Sequence, residues 1–284
     1  MILVTGATGT IGRPLTDLLV SEGVEVRAVT RDARKADLPD RAEVVVADPA
    51  RPETLAPALD GVTGLFLHPR AVGLAAAGLL TLARERGVRR VVVLSAINVE
   101  DDLDEQPSRF NGDRNKEVEA AAVASGLDWV SLRPSAFAVN TLTAWGGQIR
   151  AGDIVRGPYA TFAEAPIHEQ DLAAVAARAL RSDDLLGRKL NLTGPQSLTH
   201  AELIETLGEV LGRPLRFQEV PAEAVRQIMI GQGMAEPFVD ALLARYARGA
   251  GRPALVTGEV EKILGRPALT WAAWAADHAA DFRS

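Results

Sequence analysis

The chain has no cysteine. Disulfides, thiolate metal sites and a cysteine nucleophile are therefore excluded. A thiol-free chain gives no sign of an oxidising compartment, so the cytoplasm is the expected location. Aromatic residues are sparse at 5%, with only two tyrosines, Tyr159 and Tyr246. Lysine is also rare: Lys35, Lys116, Lys189 and Lys262 are the four among 31 cationic side chains, the rest being arginine. The net charge of −6 leaves no general excess of basic groups, and nucleic acid is not an expected partner. Long apolar runs are missing too. The longest, AVGLAAAGLLTLA at 71–83, contains Gly and Thr and falls short of the ~20 residues that a membrane span needs. It reads as a buried helix. The start, MILVTGATG, carries neither a basic n-region nor a small-residue cleavage site. No membrane partner is expected.

Other chemistry is absent by spacing. HEQDL at 168–172 opens like a zinc-protease helix, but Leu172 stands where the second histidine belongs. His168, His200 and His278 have no ligand spacing, so no metal is expected. No Gly-x-Ser-x-Gly elbow occurs, which argues against serine hydrolysis.

What is present is an alternation. Apolar, β-branched runs at 2–5, 24–30, 42–48, 63–68, 89–95 and 128–134 are separated by helical stretches, among them 73–87 and 114–126. Strands this short and without polar alternation are expected to be buried on both faces. Their regular interleaving with helices predicts an α/β fold, a doubly wound parallel Rossmann sheet. After residue 135 the rhythm changes. Helices are expected at 138–149, 169–180 and 199–211, the last started by Thr199, with a helix pair within 221–248. Thr257 precedes an acidic turn and reads as another helix start. The expected division is a dinucleotide-binding core, 1–135, and a smaller, mainly helical substrate lobe, 136–284, with parts returning to the core sheet. The acidic loop 101–113 reads as mobile and exposed.

TGATGTIG at 5–12 follows the first strand and opens the first helix, the context in which Gly-x-x-Gly-x-x-Gly is informative. Gly6 would allow the tight turn, Gly9 the approach of backbone N–H groups to a pyrophosphate, and Gly12 close packing of helix on strand. Thr8, Thr10 and Ile11 complete the expected phosphate loop, with the helix N-terminus favouring the charge. At the end of the second strand, VTRDARK places Arg31 where an acid would bind the ribose of NAD, with Lys35 nearby. A 2′-phosphate suits that charge, so NADPH/NADP+ is the expected cofactor. Asp32, one position late, would restore some NAD binding.

With these motifs the chain resembles the NmrA-like, atypical branch of the short-chain dehydrogenase/reductases. VTGATGTIGRPL, RVVVLSAIN, SGLDWVSLRPSAFAVN and LNLTGPQSLTHAELIETLGEVLGRPLRF occur in that family's order. The resemblance implies that Asp48 lies near the adenine and that Leu67 and His68 lie near the cofactor ribose. It places Pro134, Ser135 and Phe137 beside the nicotinamide, and a hydrophobic substrate between the sheet edge and the helical lobe. Typical members carry Tyr-x-x-x-Lys on the helix after the fifth strand. Here Lys116 matches the lysine and Gly112 stands at the tyrosine position. Of the fifth-strand hydroxyls, Ser95 remains.

Three readings follow. The substrate needs little acid help, as a quinone or a hydroxyaryl ketone would. Alternatively Ser95, Ser108, His68 or Tyr159 supplies the proton. In the third reading the protein is a non-catalytic NADP(H)-sensing regulator. The first is preferred: an NADPH-dependent reductase of a hydrophobic, aromatic polyketide-type molecule, monomeric or homodimeric, with Lys116 orienting the nicotinamide ribose.

Overall fold

Short runs of Val, Leu and Ile form the strands of the computed structural model, which describes residues 1–283 apart from the Lys35 side chain. Seven of them make one sheet: β1 (Ile2–Val4), β2 (Val26–Thr30), β3 (Glu43–Val46), β4 (Gly64–Leu67), β5 (Arg90–Leu94), β6 (Asp128–Pro134) and β7 (Lys189–Leu192). Their spatial order is β3-β2-β1-β4-β5-β6-β7. Neighbours from β3 through to β6 pair in parallel. This is the doubly wound order, whose chain reversal falls between β1 and β4.

The chain divides into two compact units. The first comprises 1–100, 112–134 and 169–191. Its helices include α1 (Gly12–Ser21), α2 (Ala76–Glu85), α3 (Asn115–Ala124) and α4 (Glu169–Arg181). Leu3, Leu65, Leu67, Val91 and Val93 form a core with Leu79, Leu80 and Ala83 of α2 and Val118 and Ala122 of α3. Helix α4 packs on α1, and Arg181 pairs with Glu22 at 2.6 Å.

The second unit comprises 101–111, 135–168 and 192–284. Its core gathers Ile149, Val155, Leu203, Ile204 and Leu207 with Trp271, Trp274 and Phe282. The two tryptophans stack at 4.7 Å between ring centroids, and Trp271 Nε1 donates to the Leu203 carbonyl. Helix His200–Leu211 starts at Thr199 with a reciprocal capping box to Glu202. The expected helix pair is Ala222–Gly231 and Glu236–Gly249. None of the first helix's residues is buried.

Several expectations need correcting. Strand β3 is an edge, with Val46 63% exposed, because only β2 flanks it. The helix expected at 73–87 is present and opens on a 3₁₀ turn, Gly73–Ala75. A single turn, Pro69–Val72, ends at Gly73, whose φ of 52° interrupts the path, and α2 begins at Ala76. Gly258, not Thr257, precedes helix Glu259–Leu264, since Thr257 N–H is engaged by Thr193 Oγ1. The loop 101–113 is folded rather than loose. Leu103–Glu105 and Pro107–Phe110 are short helical turns. Gln106 is buried, and Arg248 pairs with Glu105 at 3.0 Å.

Candidate active site

Strand β1 delivers the glycine loop. Thr5 Oγ1 donates to the Phe66 carbonyl at 3.0 Å and accepts from His68 N–H at 2.8 Å, which fixes the ends of β1 and β4 together. Gly6 has φ +65°, and a Cβ on Gly12 would lie 2.1 Å from the Gly6 carbonyl oxygen. No side chain fits at Gly12, so helix and loop meet backbone to backbone. Thr8, Gly9 and Thr10 are exposed and Ile11 is buried. Helix α1 has no side-chain N-cap bond and no acid in its first turn. An uncapped N-terminus behind an exposed glycine loop is chemically suited to an anionic phosphate. On this chain's own geometry, a pyrophosphate fits.

The expected adenosine end lies beyond β2. Arg31 is exposed and makes no ion pair among the described residues. Asp32 Oδ1 accepts from Arg34 N–H at 3.1 Å and from Arg34 Nε at 3.0 Å, and Oδ2 accepts from Arg34 Nη2 at 3.1 Å. These bonds hold the Asp32 carboxyl below its usual range, the Arg34 side chain contributing most. Arg13 in the first turn of α1 pairs with Asp37. The Lys35 side chain lies outside the described residues. Asp48 Oδ1 accepts from Ala50 N–H at 3.1 Å and Oδ2 from Arg51 Nε at 3.2 Å, so its carboxylate shapes its own turn.

At the end of β4, Leu67 is fully buried and contributes its side chain to the core. His68 caps the Pro69–Val72 turn, its Nδ1 accepting from Arg70 N–H at 3.2 Å. That bond assigns the proton of the neutral ring to Nε2. Burial lowers the His68 pKa, Asp113 opposes this and Arg70 adds to it. The ring therefore stays neutral at pH 7 and is a poor reserve of protons. A Cβ on Gly6 would lie 3.1 Å from the His68 Cβ and Cγ, so the side chain sits close over the glycine.

Gly112 does not sit one turn below Lys116 on a common helix. Helix α3 begins at Asn115, and Gly112 precedes it with φ +95°. Side chains rarely adopt that conformation. Space is not the obstacle, since a Cβ would meet only Arg70 Cγ, at 4.0 Å. Arg70 grips Asp113 through two bonds of 3.0 Å, fixing this turn to the residues after β4. Lys116, second in α3, is exposed.

Ser95 is buried, 4% exposed, and among the described residues its Oγ makes no hydrogen bond, although it lies beside the Glu119 carboxylate. Glu119 also receives Ser131 Oγ at 2.5 Å and Arg133 Nε at 2.9 Å. Arg133 further binds Glu100, and Lys189 Nζ lies 3.3 Å from Glu119. Burial alone would raise the Glu119 pKa, but the Arg133 and Ser131 bonds more than reverse this and hold it at about 2. Sequence reasoning missed this cluster. Its signal was Arg133 in a strand otherwise without a cation, a charge that needs a buried partner.

The remaining candidates belong to the second unit, apart from Pro134, which is buried at the end of β6. Ser135 Oγ donates to the Ala165 carbonyl at 2.5 Å, and Phe137 bridges to Ile167. Ser108 lies in the Pro107–Phe110 turn. Among the described residues, Tyr159 is the non-glycine residue with positive φ, 53°. Its carbonyl accepts from Phe162 N–H at 3.0 Å.

Sheet order, glycine cradle and uncapped helix together define a nucleotide-dependent α/β protein. The NAD(P)H-binding family model matches residues 6–183, and the chain belongs to that family. It is 35% identical, over 99% of both chains, to an NAD(P)H azoreductase of Xenophilus azovorans. It is also 35% identical, over 99% of both, to a (4-alkanoyl-5-oxo-2,5-dihydrofuran-3-yl)methyl phosphate reductase of Streptomyces griseus. Among solved structures, the NADPH complex of an Escherichia coli NADPH-dependent quinone oxidoreductase superposes with a TM-score of 0.82 at 23% identity, covering 98% of this chain and 99% of that one. The chain is thus an NAD(P)H-dependent oxidoreductase with the expected Rossmann-like fold. The described residues contain no helix long and apolar enough to cross a membrane and no group of three or more potential metal-ligating side chains.

Proposed function

We propose that the protein is an NADPH-dependent reductase of a hydrophobic, easily reduced aromatic acceptor, a quinone or hydroxyaryl ketone, and that it works without a tyrosine acid. The observation that carries this reading is the turn at Gly112. A phenol at that position would be strained, and the helix that would aim it has not begun.

When bound, the cofactor supplies hydride to the acceptor. The exposed backbone of Thr8–Thr10 and the α1 N-terminus hold the pyrophosphate, and Arg31 receives the 2′-phosphate. Lys116 orients the nicotinamide ribose, and neutral His68 offers Nε2–H as a hydrogen-bond donor to the cofactor. Ser95, buried beside the interior charge cluster, does not serve as the acid. Loss of a general acid costs about 10²–10⁴ in rate, roughly 3–5 kcal/mol of barrier. An acceptor whose reduced oxygen is already a stable anion, or carries an internal phenol, avoids most of that cost, and water supplies the remaining proton. The azo and quinone acceptors in the relatives' names accord with such a substrate class.

The test is oxidation of NADPH, followed by absorbance, across quinones, azo dyes, hydroxyaryl ketones and simple alkyl ketones. Turnover is expected on the first three groups and not on the last. Ser95→Ala and Tyr159→Phe should each keep kcat within about fivefold. Preference for alkyl ketones, or a loss of several hundred-fold in either variant, would overturn the reading.

A further inference from the structure

Two acids flank the 2′ end of the expected nucleotide site, and both are matched with arginine. Asp37 is paired with Arg13. Asp32 is the more informative. It lies two residues past β2 and 20 residues beyond Gly12, about where dinucleotide-binding sheets place the acid that binds the ribose 2′-hydroxyl of NADH. A free carboxylate offers about four lone-pair sites. Here three donor hydrogens of one residue, Arg34, occupy it: the backbone N–H, Nε and Nη2. The backbone is held as well. Asp32 N–H donates to Thr30 Oγ1, which returns a bond to the Asp32 carbonyl, both at 3.2 Å. Arg34 itself is 90% exposed and rests on little else. Its guanidinium is directed inward along the loop to a carboxylate two residues away. Meanwhile Arg31, next to Asp32, stays without an ion pair among the described residues.

We infer that Arg34 determines cofactor selectivity by occupying Asp32: the fork withholds from NADH the acid that would bind its ribose diol, and cancels the negative charge that would repel the 2′-phosphate of NADPH. Arg31 attracts the phosphorylated cofactor, and Arg34 acts by removing its competitor's anchor. This rests on the reading that the glycine loop and Arg31 hold the adenosine half of the cofactor. Arg34 is a positioning residue that works through Asp32.

The test is equilibrium binding of NADH and NADPH, each by calorimetry, to the full chain and to Arg31→Ala, Arg34→Ala, Asp32→Asn and Arg34→Ala/Asp32→Asn variants. Asparagine keeps the helix-capping oxygen and removes the charge. Arg34→Ala should tighten NADH about fivefold or more and weaken NADPH, so that the ratio of the two Kd values falls at least tenfold. The double variant should lose the NADH gain. Arg34→Lys, which cannot make the two-toothed bond, should fall between wild type and Arg34→Ala. An NADH Kd within twofold of wild type in Arg34→Ala would overturn the inference, as would a gain that survives in the double variant. If Arg31→Ala leaves NADPH binding unchanged, the 2′-phosphate reading fails, while the difference between Arg34→Ala and the double variant still decides the role of Arg34.

Discussion

Glu119 is a carboxylate held ionised in the interior of the first unit, and its pH dependence follows from that. Its folded-state pKa of about 2 lies below the ordinary 4.5. The stabilisation is therefore fully present above about pH 4.5 and is lost as pH falls toward 2. A tenfold change in proton affinity is worth about 1.4 kcal/mol, so the limit is about 3 kcal/mol before solvent screening. Glu119→Gln should lower stability at pH 7 and flatten the dependence of Tm on pH between 4.5 and 2. An unchanged slope would show that Glu119 is not the titrating group. At this scale the sequence was legible where one residue type at one position has one use. Gly6 and Gly12 could be assigned from context. The Glu119–Arg133 pair, separated by 14 residues across a helix and a strand, could not. Nor could the Asp32–Arg34 fork, since residues two apart face each other only in a particular capping turn.

Elements were legible in kind and less so at their ends. Six of the seven sheet strands were visible as apolar runs, and Thr199 marked its helix through capping chemistry. The start of α3 was expected at 114 and falls at Asn115, but the Tyr-x-x-x-Lys spacing set Gly112 one turn below Lys116 as though both lay on that helix. Its place before the helix changes the chemistry. With a helix from 112, glycine is a deleted side chain; with φ +95° it is the residue the turn requires. Gly112→Ala should cost about 1 kcal/mol through backbone strain, measured by denaturant unfolding. Gly112→Tyr should be less stable still and should not raise kcat on any ketone. A gain in turnover would show that the phenol reaches the reacting carbonyl after all. The loop 101–113 shows the opposite limit: its acidic, proline-containing sequence suggested mobility as well as exposure, and while 101–104 and 110–112 are exposed, Gln106 and Pro107 are buried and Glu105 is held by Arg248, 143 residues away.

At the scale of the molecule, alternation was enough to predict the parallel sheet, because parallel strands need helical crossovers. It did not say which later segments rejoin the first unit. Helix α4 and β7 do, and α4 covers α1. A fragment of residues 1–135 would leave that face of α1 bare and β6 without its outer neighbour. It should lack a cooperative thermal transition by calorimetry, whereas a fragment that melts sharply would show the sheet to be independent of its returning segments. The opposite margin of the sheet has another consequence. Strand β3 ends the sheet with one row of backbone donors and acceptors unpaired, and Val44 and Val46 are exposed on it. Such a margin is a template for another chain in the same state. Here it is four residues long and begins at Glu43, which is clasped by Arg27 of β2 at 2.8 Å. A charge at the mouth and a short reach limit strand-to-strand aggregation, so this margin of the sheet guards itself against a second copy of the chain.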